Sequence, residues 1–202
     1  MEKSDNVNQV FELLDRYVSL TFLVKLLASH STKNAEEFNS RVFDMDFSKL
    51  GLSDETISSL GMAPNIVQLK KHQVEISNLA TEASTQVFVQ ISSLSMDFKI
   101  AAKEYVDGMI SSYLLKSSAC QDAYLKFVVD IDKSIKEGNS NKTRELGKKA
   151  KKSFNLLYEY NTICQIYSNM SSYLNGMIKG FMLKKQKSDD VDPISETLIK
   201  KR

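Results

Sequence analysis

The stretch 101-AAKEYVDGMISSYLLKSSACQDAYLKFVVDIDKSIKEGNSN-141 decides the fold. Its apolar positions Ala101, Tyr105, Met109, Tyr113, Cys120, Tyr124, Phe127, Ile131 and Ile135 fall on a grid of alternating threes and fours. The grid extends upstream through Ala80, Ser84, Val87, Ile91, Leu94 and Phe98. That spacing keeps one edge of an α-helix apolar and marks long helices lying side by side, as in bundles and coiled coils. Gly138, Asn139, Ser140 and Asn141 then supply a helix stop followed by helix caps. Downstream the grid resumes at Leu146, Ala150, Phe154 or Ser153, Leu157, Tyr160, Cys164, Tyr167, Leu174, Ile178 and Phe181, predicting a final helix over 142–185. Two long amphipathic helices joined by a short loop form an antiparallel pair.

Proline usage points the same way. Pro64 and Pro193 bracket 128 residues without another proline and with only five glycines, which favours helices over a many-stranded sheet. An unbroken helix of about 70 residues would extend ~105 Å, against a radius of gyration of about 17 Å for a compact chain of this length. Breaks are therefore expected at Ser92-Ser93 and Ser117-Ser118. A β-hairpin over 85–100, with Val87, Val89 and Ile91 facing Leu94, Met96, Phe98 and Ile100, is the competing reading. It lacks a Gly, Asn or Asp turn and a third strand.

Outside the long pair, Val7, Phe11, Leu14, Val18, Phe22 and Leu26 trace one face of a first helix, capped by Ser4 or Asp5 and ending near His30. A second helix is expected over 35–50, with Phe38, Val42, Phe43 and Met45 turned inward. Leu52-Ser53-Asp54-Glu55-Thr56-Ile57 combines a cap, two acids facing the helix dipole and a Leu52–Ile57 staple, with Gly61 as the stop. Pro64 fits the first turn of the following helix. The fold class is all-α: a bundle of four to six helices with a long antiparallel C-terminal hairpin. It divides into an acidic N-terminal helical segment over 1–63, a long-helix core over 64–187 and a polar, flexible tail over 188–202.

Composition bounds the function. With 202 residues, 42% hydrophobic and 26% charged, the chain can bury a core without staples. Cys120 and Cys164 are spaced neither as a metal knuckle nor as a redox dithiol and are expected as buried free thiols. The polar N-terminus lacks a secretory pattern, and no apolar run reaches membrane-spanning length, so an intracellular, cytoplasmic protein is the default expectation. His30 and His72 lie in no metal-binding motif, and no nucleophile elbow, phosphate-binding loop or dinucleotide fingerprint is present. No catalytic residue, cofactor, metal or small-molecule substrate is expected.

Charge is uneven: residues 1–60 carry a net −4, 61–130 a net −1 and 131–202 a net +7. Lys133, Lys136, Lys142, Arg144, Lys148, Lys149, Lys151 and Lys152 surround the hairpin loop, where they could meet an anionic partner such as a nucleic acid. Near the end, Met177, Phe181 and Met182 form a candidate helix-seam interface beside lysines, a pattern that also suits a membrane surface. Gly176 and Gly180 are read as a close packing site against the first helix. The leading expectation is a non-enzymatic protein that binds a protein partner or self-assembles through an exposed apolar helix seam. The alternatives are an accessory nucleic-acid binder using the lysine-rich tip over 133–152, and a peripheral membrane protein.

Overall fold

The computed structural model describes residues 2–28, 45–61 and 66–189, and every regular element among them is helical. They are α1 (Glu2–Ala28), a 3-10 turn (Phe47–Leu50), α2 (Asp54–Gly61), α3 (Ile66–Ser93), α4 (Met96–Lys136) and α5 (Ser140–Asp189). Residues 85–100 are helix, break and helix, so the β-hairpin alternative is overturned. The expected positions His30, Phe38, Val42, Phe43 and Pro64, and the tail beyond 189, lie outside the described residues.

The hairpin of α4 and α5 is the largest helix contact in the molecule. Its antiparallel sense is read from its pairs: Asp107 meets Ser171, Ser117 meets Asn161, and Ser134 meets Thr143, so one number falls as the other rises. Asn139 makes the turn work. Its side chain accepts from the Lys142 amide at 3.1 Å, while its carbonyl accepts from the Ser134 and Thr143 hydroxyls at 3.0 and 2.9 Å. Gly138 turns the chain at a φ of 69°, which L side chains rarely adopt. The helix starts at Ser140, two residues before the expected Lys142, because Asn139 takes the cap.

The break at Ser92-Ser93 is real, with their hydroxyls bonded to the carbonyls of Phe88 and Gln90 at 2.6 and 2.8 Å. The break at Ser117-Ser118 is not. Ser117 is buried inside α4 and donates to Asn161 Oδ1 at 2.7 Å, a tertiary bond that outweighs its modest helix propensity.

α1 is the hub of the core and touches α3, α4, α5 and the 3-10 turn. Leu14, Val18, Phe22 and Leu26 are buried as the spacing predicted, joined by Leu20 and Leu23, so its apolar stripe is broad enough to serve two neighbours. It is already helical at Glu2, which places Ser4 and Asp5 within its first turns rather than ahead of them. α3 contributes Ile76, Ala83, Val87 and Ile91, and its Phe88 meets Tyr173 of α5 edge-on with centroids at 4.5 Å. The second helix does not run to Leu50: residues 45–46 are irregular, and a 3-10 turn capped by Asp46 takes its place. Gly51 closes that turn at a φ of 72°, where an added Cβ would also lie 2.7 Å from Arg16 Nη2. The cap at Ser53 forms as expected, with its Oγ accepting from the Thr56 amide at 3.3 Å. Glu75 reaches across from α3 to accept from the Ser53 amide at 2.8 Å and the Thr56 hydroxyl at 2.5 Å.

Gly108 and Gly138 make opposite demands, and neither has anything within 4 Å of an added Cβ. Gly108→Ala, inside α4, is expected to gain up to ~1 kcal/mol through helix propensity. Gly138→Ala, at positive φ, is expected to lose ~1 kcal/mol. Thermal unfolding of the two variants should shift Tm in opposite directions, by about 2–4 °C each.

Candidate functional site

The core cluster ends at Tyr113 on α4 and at Ile163 on α5, so the hairpin beyond those residues is a two-helix arm. Its inner positions are Ser117, Cys120, Tyr124, Phe127, Ile131 and Ser134 against Thr143, Leu146, Ala150, Ser153, Leu157 and Tyr160, all buried or half-buried. These continue the three–four alternation of the seam read upstream. Ile135 and Phe154, both expected inside, are instead 61% and 51% exposed. Ser134 and Ser153 take the inner places, because the ladder of Ser134, Asn139 and Thr143 hydroxyl bonds sets the register.

The arm is two-faced. Leu114, Leu125, Val128, Ile135, Phe154 and Tyr158 each immediately follow an inner residue, and all are exposed. One residue turns a helix by about 100°, and the sense of that turn is mirrored on an antiparallel neighbour, so both sets project from the same flank. Leu115 and Val129 sit at its outer edge, at 74% and 54% exposure. The residues that precede the inner positions form the opposite flank, with Lys116, Lys126, Lys133, Lys142, Lys149 and Lys152 interspersed with Asp130, Glu145 and Glu159.

The lysine-rich segment over 133–152 is at the arm's end, but its cations are not one patch. Lys133, Lys142, Lys149 and Lys152 belong to the charged flank, whereas Arg144 and Lys151 lie among the apolar residues of the other, with Lys136 and Lys148 beside it. Several pair with nearby acids, among them Lys136 with Asp132 at 2.7 Å, Lys142 with Glu137 at 3.4 Å and Lys149 with Glu145 at 2.7 Å. Met177 packs against the core, while Phe181 and Met182 are half-exposed beyond it, so the structure separates these three. Gly176 and Gly180 face open space, which removes the expected close packing against α1. Tyr158, one residue past the inner Leu157, is 53% exposed.

At the root of the charged flank lies a cleft of about 1060 Å³ between α1, the 3-10 turn and the hairpin. The sequence reading missed it entirely. Its floor is Asp15, whose carboxylate accepts from the hydroxyls of Tyr167 at 2.8 Å and Tyr105 at 2.7 Å. Burial first, then the Asp15 hydrogen bond and charge, push the Tyr105 phenol far up; Tyr167 is pushed up by burial and the same carboxylate. Tyr113 is tilted against Tyr160 and stacked near Tyr167 at centroid distances of 5.9 and 6.0 Å, and Lys116 Nζ lies 4.8 Å from the Tyr113 centroid. Glu12, Asp46 and Glu159 face Arg16, Lys49 and Lys152 around the walls, leaving no single-sign field. Nearby, burial raises the Cys120 thiol, aided by the Glu159 charge. The one legible signal was Asp15 itself, an acid beside the buried stripe of α1, together with tyrosines at inner helix positions that need partners for their hydroxyls.

His72 of α3 joins a second polar cluster, with Nδ1 2.8 Å from Thr56 Oγ1 and Nε2 3.1 Å from Ser59 Oγ. Because the Thr56 hydroxyl donates to Glu75, its oxygen accepts from Nδ1–H. Together with the Ser53 bonds, this network fastens α2 to α3. Both cysteines are free, with Cys164 buried and Cys120 half-buried. Among the described residues no His, Cys, Asp and Glu cluster has metal-binding geometry, and no helix is long and apolar enough to cross a membrane. Comparison with protein-family models, with curated proteins and with solved structures finds no match to this chain.

The raised tyrosines give a signed expectation. A phenol held protonated in the fold adds stability in full below its ordinary value of 10.0 and loses it as pH rises past that point. In an alkaline absorbance titration at most six of the eight tyrosines should ionise before the helices unfold. Asp15→Ala should cost ~1–3 kcal/mol for each hydroxyl left without its acceptor, read by chemical denaturation at neutral pH.

Proposed function

We propose that this chain is a non-catalytic interaction protein whose hairpin arm presents its apolar flank to another polypeptide. The observation that carries the reading is that Leu114, Leu125, Val128, Ile135, Phe154 and Tyr158 all emerge, well exposed, on one side of the arm, which they share with Asp132, Arg144 and Lys151. Apolar side chains scattered singly on a surface need no explanation. The hairpin register sets Leu125 and Val128 within about two turns of Phe154 and Tyr158 along the same flank, a concentration of the kind that marks an interface. The spacings from Leu125 to Val128, Val128 to Ile135 and Phe154 to Tyr158 are one to two turns, as helix recognition requires of its apolar anchors.

A photo-crosslinking residue placed at Val128 should form polypeptide adducts in the protein's native cells, while the same residue at Lys126, on the charged flank, should not. Absence of any polypeptide adduct from positions 125, 128, 135 and 154 would sink the proposal.

A second reading rests on the charged flank, where six lysines lie along one side of the arm. Phosphates aligned there would bind with an affinity that falls steeply with salt. Titration with labelled duplex and single-stranded RNA and DNA at two salt concentrations tests it. With about three phosphates neutralised, the slope of log affinity against log salt should be near −3 on duplex. A flat response rejects this reading.

A further inference from the structure

The apolar flank carries charges that differ in sign between its two helices. Asp132 on α4 and Arg144 and Lys151 on α5 each follow an inner residue and so lie in the flank, with Asp122 and Lys148 beside it. Lys136 holds Asp132 at 2.7 Å, so the α4 side is close to neutral or negative and the α5 side carries the cations. Laying α5 on α5 of another copy would bring cations against cations. Laying α4 of each copy on α5 of the other brings Asp132 to the level of Arg144 and Lys148, since the hairpin register puts Ser134 beside Thr143. A twofold axis parallel to the arm generates both contacts at once, which is the isologous closure expected of a stable dimer.

The area suffices. About 20 residues per helix give an arm ~30 Å long, and two helices ~10 Å apart offer a face about 20 Å wide. Each copy would then cover ~600 Å², or ~1,200 Å² in total, the lower bound of a specific interface.

We infer that a second copy of this chain covers the flank. Two arms pack side by side with their tips at the same end and form a four-helix bundle around Leu114, Leu125, Val128, Ile135, Phe154 and Tyr158. This inference rests on the interaction reading above and specifies its partner.

Sedimentation velocity of the full chain tests it, because the flank is already solvent-facing in the single copy and substitutions there spare its fold. The wild type should sediment as a dimer. Leu125→Glu with Val128→Glu should weaken dimerisation by at least ~100-fold, since unpaired carboxylates would be buried in the new core. The circular dichroism and Tm of that variant should stay those of the wild-type monomer. Lys126→Glu on the charged flank should leave the dimer intact. A nitroxide on Asn141→Cys, in a Cys120→Ser, Cys164→Ser background that keeps the wild-type helical signal, should report a tip-to-tip distance well inside the ~30 Å arm length. A strict monomer at ~100 μM overturns the inference, as does a dimer that survives Leu125→Glu with Val128→Glu. Tips an arm length or more apart overturn the side-by-side arrangement. If the chain is monomeric yet Val128 crosslinks to a different polypeptide, the interaction reading stands and only the second copy is lost. If it is monomeric and nothing crosslinks, both fall.

Discussion

One carboxylate holds the three longest-range parts of this fold together. Asp15 sits on α1 and accepts from Tyr105 on α4 and Tyr167 on α5, partners 90 and 152 positions away. A half-buried acid is costly unless its charge is answered, and here two phenols answer it in directions that fix where the helices lie. Phe11, one turn earlier, stacks flat on Tyr105 with centroids at 4.2 Å, so the same junction is also an apolar contact. The core grows outward from this point. Leu14 and Val18 seal it on α1, Val106 on α4, Met170 and Leu174 on α5. The cleft opens where α1 and the hairpin diverge beyond it.

The hairpin is governed by a different constraint, namely register. Its seam is punctuated by polar pairs: Ser134 with Thr143, Ser117 with Asn161, and Ser171 with Asp107, whose carboxyl is pushed up by burial and pulled further down by Lys103 and Ser171. Such pairs add little net stability, yet each would be left unsatisfied by a one-residue slip of one helix past the other. No buried side-chain nitrogen or oxygen among the described residues lacks a partner. Fixing the register also decides which residues point away from the seam, so the polar ladder is what assembles the apolar flank on one side.

Helix periodicity carried the fold class, the antiparallel hairpin and the break after Ser93, because a three–four grid sustained over many turns admits few other arrangements. It failed where the grid offered two neighbours. The grid left Phe154 or Ser153 open and placed Ile135 on the seam, because hydrophobicity is the usual guide to burial. At these two places a serine is inside and the large apolar residue after it is outside, and at Ser134 the hydrogen-bond ladder accounts for the exchange. Ser117-Ser118 misled for a related reason: local propensity marks a weak point, and a single bond to Asn161 overrides it. The cleft was invisible because it is made of residues from four elements, and no linear spacing links Asp15 to Lys116 or Glu159. The sequence charge count likewise saw a basic tip but not its division between two flanks.

The arm differs from the body in how it can come apart. The inner side chains toward its tip lie outside the central core cluster and pack between the two helices, whereas Leu14 and Val87 are wholly buried within that cluster. Opening can therefore start at the Asn139 turn and run toward Tyr113 one layer at a time, without disturbing the junction at Asp15. Amide protons along 120–155 would exchange with solvent through such partial fraying, at free energies graded with distance from the tip, while those of α1 wait for the whole molecule to unfold. The same chain thus contains a rigid anchor and a zip with its own, lower melting cost.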